Sequence, residues 1–149
     1  MIRFRRIMHA TDFSKASQRA FGMAVGIAQL NRAELVLLHV LTPITSALIG
    51  DHYTDPSLYA QMDSDAQRSA QSAISGLKRK AEKARVKVKT LLLRGTAAEQ
   101  IVRAARRPRA DLIVIGTHGR TGLSKLLLGS VAGRVVSTAS CPVMTVRAQ

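Results

Sequence analysis

Apolar residues along this chain fall into two kinds of run. Short, dense aliphatic runs at residues 5–10, 34–40, 86–93, 111–115 and 142–146 read as β-strands, and the longer stretches between them place apolar residues at helical spacing. The run at 34–40 is nearly continuous, as expected of a strand buried on both faces of a parallel sheet. Residues 86–93 instead begin by alternating Val86, Val88 and Thr90 with Lys87 and Lys89, the pattern of an edge strand.

Helix signals fill the gaps. Ser14 is placed to cap a first helix reaching about Leu30, with Phe21, Val25 and Ala28 on one face. Asp55-Pro56 opens a second, polar and Ala-rich, that runs to about Arg85 and should be exposed on one side. Thr96 and Glu99 have capping-box spacing for a third that Pro108 stops, and a fourth runs from about Ser130 to Ala139. Residues 41–54, with Pro43 and Gly50, fit neither pattern and read as a loop.

Strand and helix alternate from end to end with no repeat or linker, which predicts one doubly wound α/β domain over residues 1–149. The expected architecture is a five-stranded parallel sheet in the order 3-2-1-4-5 with helices on both faces, the first two on one and the last two on the other. Ligands bind such sheets at the carboxyl ends of the strands where the order reverses. There the turn Thr11-Asp12-Phe13 after the first strand meets the loop that leaves the fourth.

That loop opens with Gly116 and Gly119 and, nine residues on, reaches Gly129-Ser130 at a helix start. Glycines here let an anion approach the main chain, and a helix N-terminus supplies oriented N–H groups, with the Ser130 hydroxyl as an added donor. A side chain at Gly129 is expected to abolish phosphate binding and to leave the fold intact. The same glycines also suit a tight strand-to-helix turn without ligand. Arg120 and Lys125 are placed either to neutralise phosphate or to face solvent, and Asp12 either to bind or to cap the first helix. His118 is the one histidine in the expected site and lacks a partner beside it for acid–base work, whereas His9 and His39 read as satisfied core histidines. Neither a Gly-x4-Gly-Lys-Ser/Thr loop nor Gly-x-Gly-x2-Gly is present, and no cluster has metal-ligand spacing.

The segments HATDFS, ELVLLHV, DLIVIGTHG and CPVMTVR, with Gly-x2-Gly-x9-Gly-Ser, resemble the universal stress protein family over nearly the whole chain, and its nucleotide-binding branch in particular. The resemblance implies an adenine nucleotide, ATP or else ADP or AMP, with any Mg2+ or Mn2+ carried by the phosphates. It places phosphates at Gly116, His118, Gly119, Arg120, Gly129 and Ser130, ribose and adenine at Asp12 and Val40, and main-chain contacts at Ala10, Thr11, Val131 and Ala132. Ala10 stands where some relatives carry proline. It further implies a homodimer through residues 143–147, an edge strand that nothing later in the chain covers.

Composition changes the picture in three ways. With 46% apolar residues but only two Tyr, three Phe and no Trp, the core must be aliphatic. One cysteine, Cys141, rules out an internal disulfide framework and reads as a small filler before Pro142. No apolar run is long enough to span a bilayer, so a cytoplasmic protein that contacts no membrane is expected. The net charge of +14 is concentrated at residues 78–109, where twelve Lys and Arg stand against Glu82 and Glu99. This block is either a solvated face or a polyanion-binding surface. With so few aromatics to stack on bases, nucleic acid would bind only weakly and without sequence preference. The functional expectation is a nucleotide-dependent regulatory or binding module of the stress response, with a slow ATP hydrolase and a polyanion-binding protein as the alternatives.

Overall fold

Side chains along a strand point alternately to opposite faces, and here that alternation sorts the aliphatic residues into two layers. Ile7, Leu35, Leu37, Leu112 and Val114 pack on one face, and Met8, Val36, Leu38, Ile113 and Ile115 on the other. The computed structural model describes residues 3–44, 55–118 and 128–148. It joins β1 (Arg6–Ala10), β2 (Glu34–Leu41), β3 (Lys87–Arg94), β4 (Leu112–Gly116) and β5 (Val143–Val146) in one sheet of order β3-β2-β1-β4-β5. All four pairings are parallel, with Arg6 beside Glu34, Glu34 beside Lys87, and Ile7 beside Leu112. The topology expected from the sequence is the one observed, with β3 and β5 at the edges.

Helices α1 (Lys15–Asn31) and α2 (Pro56–Lys83) cover the first layer, and α3 (Ala97–Arg106) and α4 (Ser130–Thr138) the second. Ser14 caps α1 by accepting from the Ser17 N–H at 3.2 Å. The buried stripe of α1 differs from the expected face. Ala16, Ala20, Ala24 and Ala28, spaced by four, carry the burial, while Phe21 and Val25 are half-buried at its flanks. Methyl-sized side chains let the helix axis lie close to the sheet, and that closeness pushes larger residues to the margin.

In α2 only Ala70, Ile74 and Ala81 are buried, so the helix is exposed along most of its length as expected. Asp55 caps it, accepting from Ser57 N–H at 2.9 Å, which holds its carboxyl below the usual range. Arg94, at the end of β3, clamps α2 with bonds of 2.7 and 3.0 Å to Asp63 and 2.7 Å to Gln67. The capping box at α3 is not formed. Thr96 makes no side-chain cap bond, and Glu99 turns instead to Arg134 at 3.4 Å, joining α3 to α4. Most of the expected loop at 41–54 lies outside the described residues.

Candidate functional site

A cavity of about 560 Å³ opens at the carboxyl ends of β2, β1 and β4, where the strand order reverses. That size suits a small ligand. Leu38, Ile101, Ile115 and Val131 give it apolar walls, while Asp12, Ser17, His39, Ser69 and Ser130 add polar groups. Its lining comes from the β1–α1 turn, the end of β2, the middle of α2, the start of α3 and the start of α4.

The β1–α1 turn is held by its own hydrogen bonds. Thr11 N–H continues the sheet by donating to Leu38 O at 2.8 Å. Its hydroxyl oxygen accepts from Ser17 Oγ at 2.7 Å and from Phe13 N–H at 3.1 Å, and Asp12 Oδ1 accepts from Ser14 N–H at 2.9 Å. Asp12 therefore does shape the start of α1, as well as lining the cavity. Phe13 sits at φ 63°, a left-handed conformation that is uncommon for a bulky residue, and its ring packs 4.7 Å from that of His39. His39 Nδ1 lies 2.7 Å from Thr11 O, a contact in which Nδ1 carries a proton and donates it to the carbonyl.

The opposite wall is built on two glycines. A Cβ on Gly116 would lie 3.0 Å from the backbone of Ala16 and Ser17, so this glycine allows the first turn of α1 to pack on the end of β4. A Cβ on Gly129 would stand 2.8 Å from Thr117 O, the atom that accepts the Gly129 N–H at 2.7 Å. The helical ladder of α4 begins with Gly133 N–H donating to Gly129 O at 2.8 Å. The N–H groups of Ser130, Val131 and Ala132 precede that ladder and have no intrahelical acceptor. They form the positive end of α4 beside the cavity, an arrangement suited to an anion. The expectation that a side chain at Gly129 would spare the fold is corrected here, because the clash is with the chain's own backbone.

Of the residues expected at the site, the fold brings together Ala10, Thr11, Asp12, Val40, Gly116, Gly129, Ser130, Val131 and Ala132 around the cavity. His118 is not among the lining residues, and its Nδ1 lies 2.9 Å from Thr117 Oγ1. Gly119, Arg120 and Lys125 lie outside the described residues. His9 is a core histidine, fully buried with Nδ1 2.9 Å from Val114 O, and burial drives its pKa down from 6.5 to about 4. His39 is half-buried and lines the cavity instead, and Ser69 and Ile101 were equally unforeseen. The signal for His39 was available: it lies near the carboxyl end of β2, the strand beside β1. Cys141 is partly buried, which raises its thiol pKa and fits the filler role.

An open doubly wound sheet with a crevice and a helix N-terminus at its switch point defines the class of this protein as doubly wound α/β. Residues 3–147 match the universal stress protein family, and the chain belongs to it. A universal stress protein of Methanocaldococcus jannaschii is 36% identical over 144 residues, covering 97% of this chain and 82% of that one. The structure of the universal stress protein UspA from Lactobacillus plantarum superposes with a TM-score of 0.84 at 27% identity, covering 99% of this chain and 100% of that one. A family member from Arabidopsis thaliana, solved with AMP bound, has a TM-score of 0.70 at 23% identity, with coverage of 97% and 92%.

Proposed function

We propose that the cavity binds an adenine nucleotide and that the protein acts in the cytoplasm as a nucleotide-dependent regulatory module. The observation that carries this reading is the meeting of three N–H groups of α4 that have no acceptor within the helix with the Asp12 turn and the end of β2 around one cavity. Phosphates would lie against Ser130, Val131 and Ala132, where dipole and hydrogen bonding act together. Ribose and base would lie toward Asp12 and Val40. The adenine ring would find apolar contact on Leu38 and Ile101, and ATP, ADP and AMP share every one of these contacts except those to the outer phosphates. A divalent ion, where a triphosphate brings one, would be held by the phosphates. The AMP held by the Arabidopsis relative supports the same ligand class here.

A homodimer through β5 is part of this reading. Pro142 O and Val146 O accept from Ile113 and Thr117 N–H, so the even-numbered residues of β5 face β4. In a parallel ladder the main-chain groups of Val143 and Thr145 then point to the open edge, where a second copy can pair. Exposed Met23 and half-buried Met144 flank that edge and would give the pairing apolar cover.

Two measurements test the nucleotide reading. Mass spectrometry of the gently denatured protein is expected to release an adenine nucleotide. Calorimetry with AMP, ADP and ATP is expected to show binding that Ser130→Ala weakens by about 0.5–3 kcal/mol, or roughly 2- to 150-fold. Failure of the wild type to bind any of the three at millimolar concentration would overturn the assignment.

A further inference from the structure

In a parallel α/β sheet the helix C-termini and the strand starts share one end, opposite the cavity. That end is strongly basic. The segments leading into β1, β2, β3 and β4 (residues 3–6, 32–34, 82–87 and 106–111) carry ten Lys and Arg against Glu34, Glu82 and Asp111. Cations beside helix C-termini have a local explanation, since each C-terminus carries about half a negative charge. Four helices account for about two charges and the carboxylates for three more, which leaves about five positive charges with no local counterpart. The carboxylates are moreover engaged: Glu34 lies within 3.6 Å of Arg6 and 3.1 Å of Lys89, and Asp111 accepts from the main-chain N–H groups of Arg5 and Arg6.

Three arginines at this end are held in a particular way. Arg32, Arg85 and Arg109 have φ of 53°, 59° and 52° and are three of the four non-glycine residues with positive φ among the described residues. Each follows a helix end, and each turn closes with the same pair of bonds: Arg32 to Gln29 O and Ala33 to Ala28 O, Arg85 to Glu82 O and Val86 to Ala81 O, Arg109 to Arg106 O and Ala110 to Ala105 O. This is the helix-terminating turn whose left-handed position glycine ordinarily fills, because a Cβ there costs energy. Arginine occupies it three times. All three are exposed, and none has an ion-pair partner among the described residues.

The register puts them in one row. Each stands two residues before the rung formed by Lys87, Glu34, Arg6 and Asp111, and they head β3, β2 and β4; ahead of β1, Phe4 stands at their level and Arg5 one residue nearer the rung. Strands about 4.8 Å apart make the row about 14 Å long, which matches the rise of about four nucleotides at 3.4 Å each.

We infer that this basic row is a second anion-binding surface, separate from the cavity, that docks the phosphodiester backbone of a nucleic acid without reading its bases. Guanidinium groups suit phosphate oxygens better than ammonium groups do. Phe4, the aromatic residue in these segments, is half-buried against the core and so is not presented for stacking on bases. A membrane surface would call for several apolar side chains at the same end, and among the described residues Leu30 is the one exposed large apolar residue beside the row.

The test is fluorescence anisotropy with labelled duplex DNA of about 20 base pairs and several sequences, at 50 and 200 mM salt. The variant is Arg32→Gly/Arg85→Gly/Arg109→Gly, which places glycine where the backbone favours it and so stays folded, as circular dichroism would confirm. Wild type is expected to bind all sequences alike at 50 mM salt and to lose affinity steeply by 200 mM. Three lost phosphate contacts lower the salt slope by about 2.7, so the fourfold rise in salt should cost the wild type about 40-fold more affinity than the variant. Saturating AMP should leave DNA affinity unchanged. The inference fails if wild type does not bind at 50 mM salt, if the variant binds with the same slope, or if AMP displaces the DNA and so locates it in the cavity. Binding to phosphatidylserine vesicles without binding to duplex would assign the row to a membrane surface and overturn it as well.

Discussion

Gly129 immediately precedes α4 and Gly133 lies in its first turns, yet replacing each with alanine should move stability in opposite directions. A methyl on Gly129 would meet Thr117 O at 2.8 Å, a distance at which something must shift, and both sides of the contact are backbone. Moving the helix start away strains the 2.7 Å bond from Gly129 N–H to that same oxygen. Overpacking costs about 1–3 kcal/mol and a weakened hydrogen bond about 0.5–1.5 kcal/mol more, so Gly129→Ala should destabilise by about 2–4 kcal/mol. In a chain of this size that lowers Tm by roughly 4–16 °C. Among the described residues a methyl on Gly133 meets only Leu128 Cδ2 at 3.8 Å, an ordinary contact, so helix propensity should win and Gly133→Ala should stabilise by up to about 1 kcal/mol. Thermal unfolding followed by circular dichroism, with AMP calorimetry on the folded variants, separates the two. Gly129→Ala should also weaken nucleotide binding, because the N–H groups of Ser130, Val131 and Ala132 ride on the displaced turn, while Gly133→Ala should leave affinity unchanged. Equal Tm and equal affinity for Gly129→Ala and wild type would refute the idea that close backbone contact positions the start of α4.

His9 makes stability depend on pH. Its folded pKa of about 4 lies below the ordinary 6.5, chiefly because burial penalises the charged ring, so the unfolded chain binds the proton more readily. This contribution is therefore intact above pH 6.5 and is lost as pH falls toward 4, by about 3 kcal/mol in all. Urea midpoints across pH 4.5–6.5 should fall more steeply for wild type than for His9→Asn, which can keep a donor toward Val114 O, by up to about 1.4 kcal/mol per pH unit; parallel curves would show that His9 is not the group responsible. For the proposed dimer, Thr145→Pro removes an open-edge donor without touching the β4 ladder, and sedimentation should then report a monomer. A dimer of unchanged mass would place the interface elsewhere.

Topology was legible in the sequence because parallel strands buried on both faces advertise themselves as aliphatic runs, and because handedness and strand order leave few arrangements. The crevice followed from topology, and nine of the expected residues line it. What stayed hidden has specific causes. The α1 stripe is made of alanines, which a search for large apolar residues passes over in favour of Phe21 and Val25. Thr96 and Glu99 have capping-box spacing, but Glu99 is drawn to Arg134 on a helix 35 positions away, and sequence spacing carries no trace of that competitor. The Arg94 clamp on Asp63 and Gln67 likewise spans 31 and 27 positions. The row of arginines requires the register of four strands before its members can be seen to share a level. His39 looked like core because its neighbours in the run are core, whereas its place at the end of the strand decides its exposure.

The two proposed anion sites, at opposite ends of the sheet, rest on opposite physics, and salt should tell them apart. At the cavity the helix dipole of α4 and fixed N–H groups act over short distances inside a partly enclosed space, where mobile ions screen little. At the opposite end the helix dipoles oppose an anion, and exposed guanidinium groups must overcome them across open solvent with a Debye length of about 8 Å at physiological salt. Nucleotide affinity should therefore change little between 50 and 200 mM salt while polyanion affinity collapses. On these two proposals the chain would hold a small ligand across that range of salt and touch a polyanion only transiently, through many weak contacts. Should both affinities fall together with salt, the phosphates of the small ligand would be held by solvent-exposed cations and not by the start of α4, and the cavity geometry would lose its role in binding.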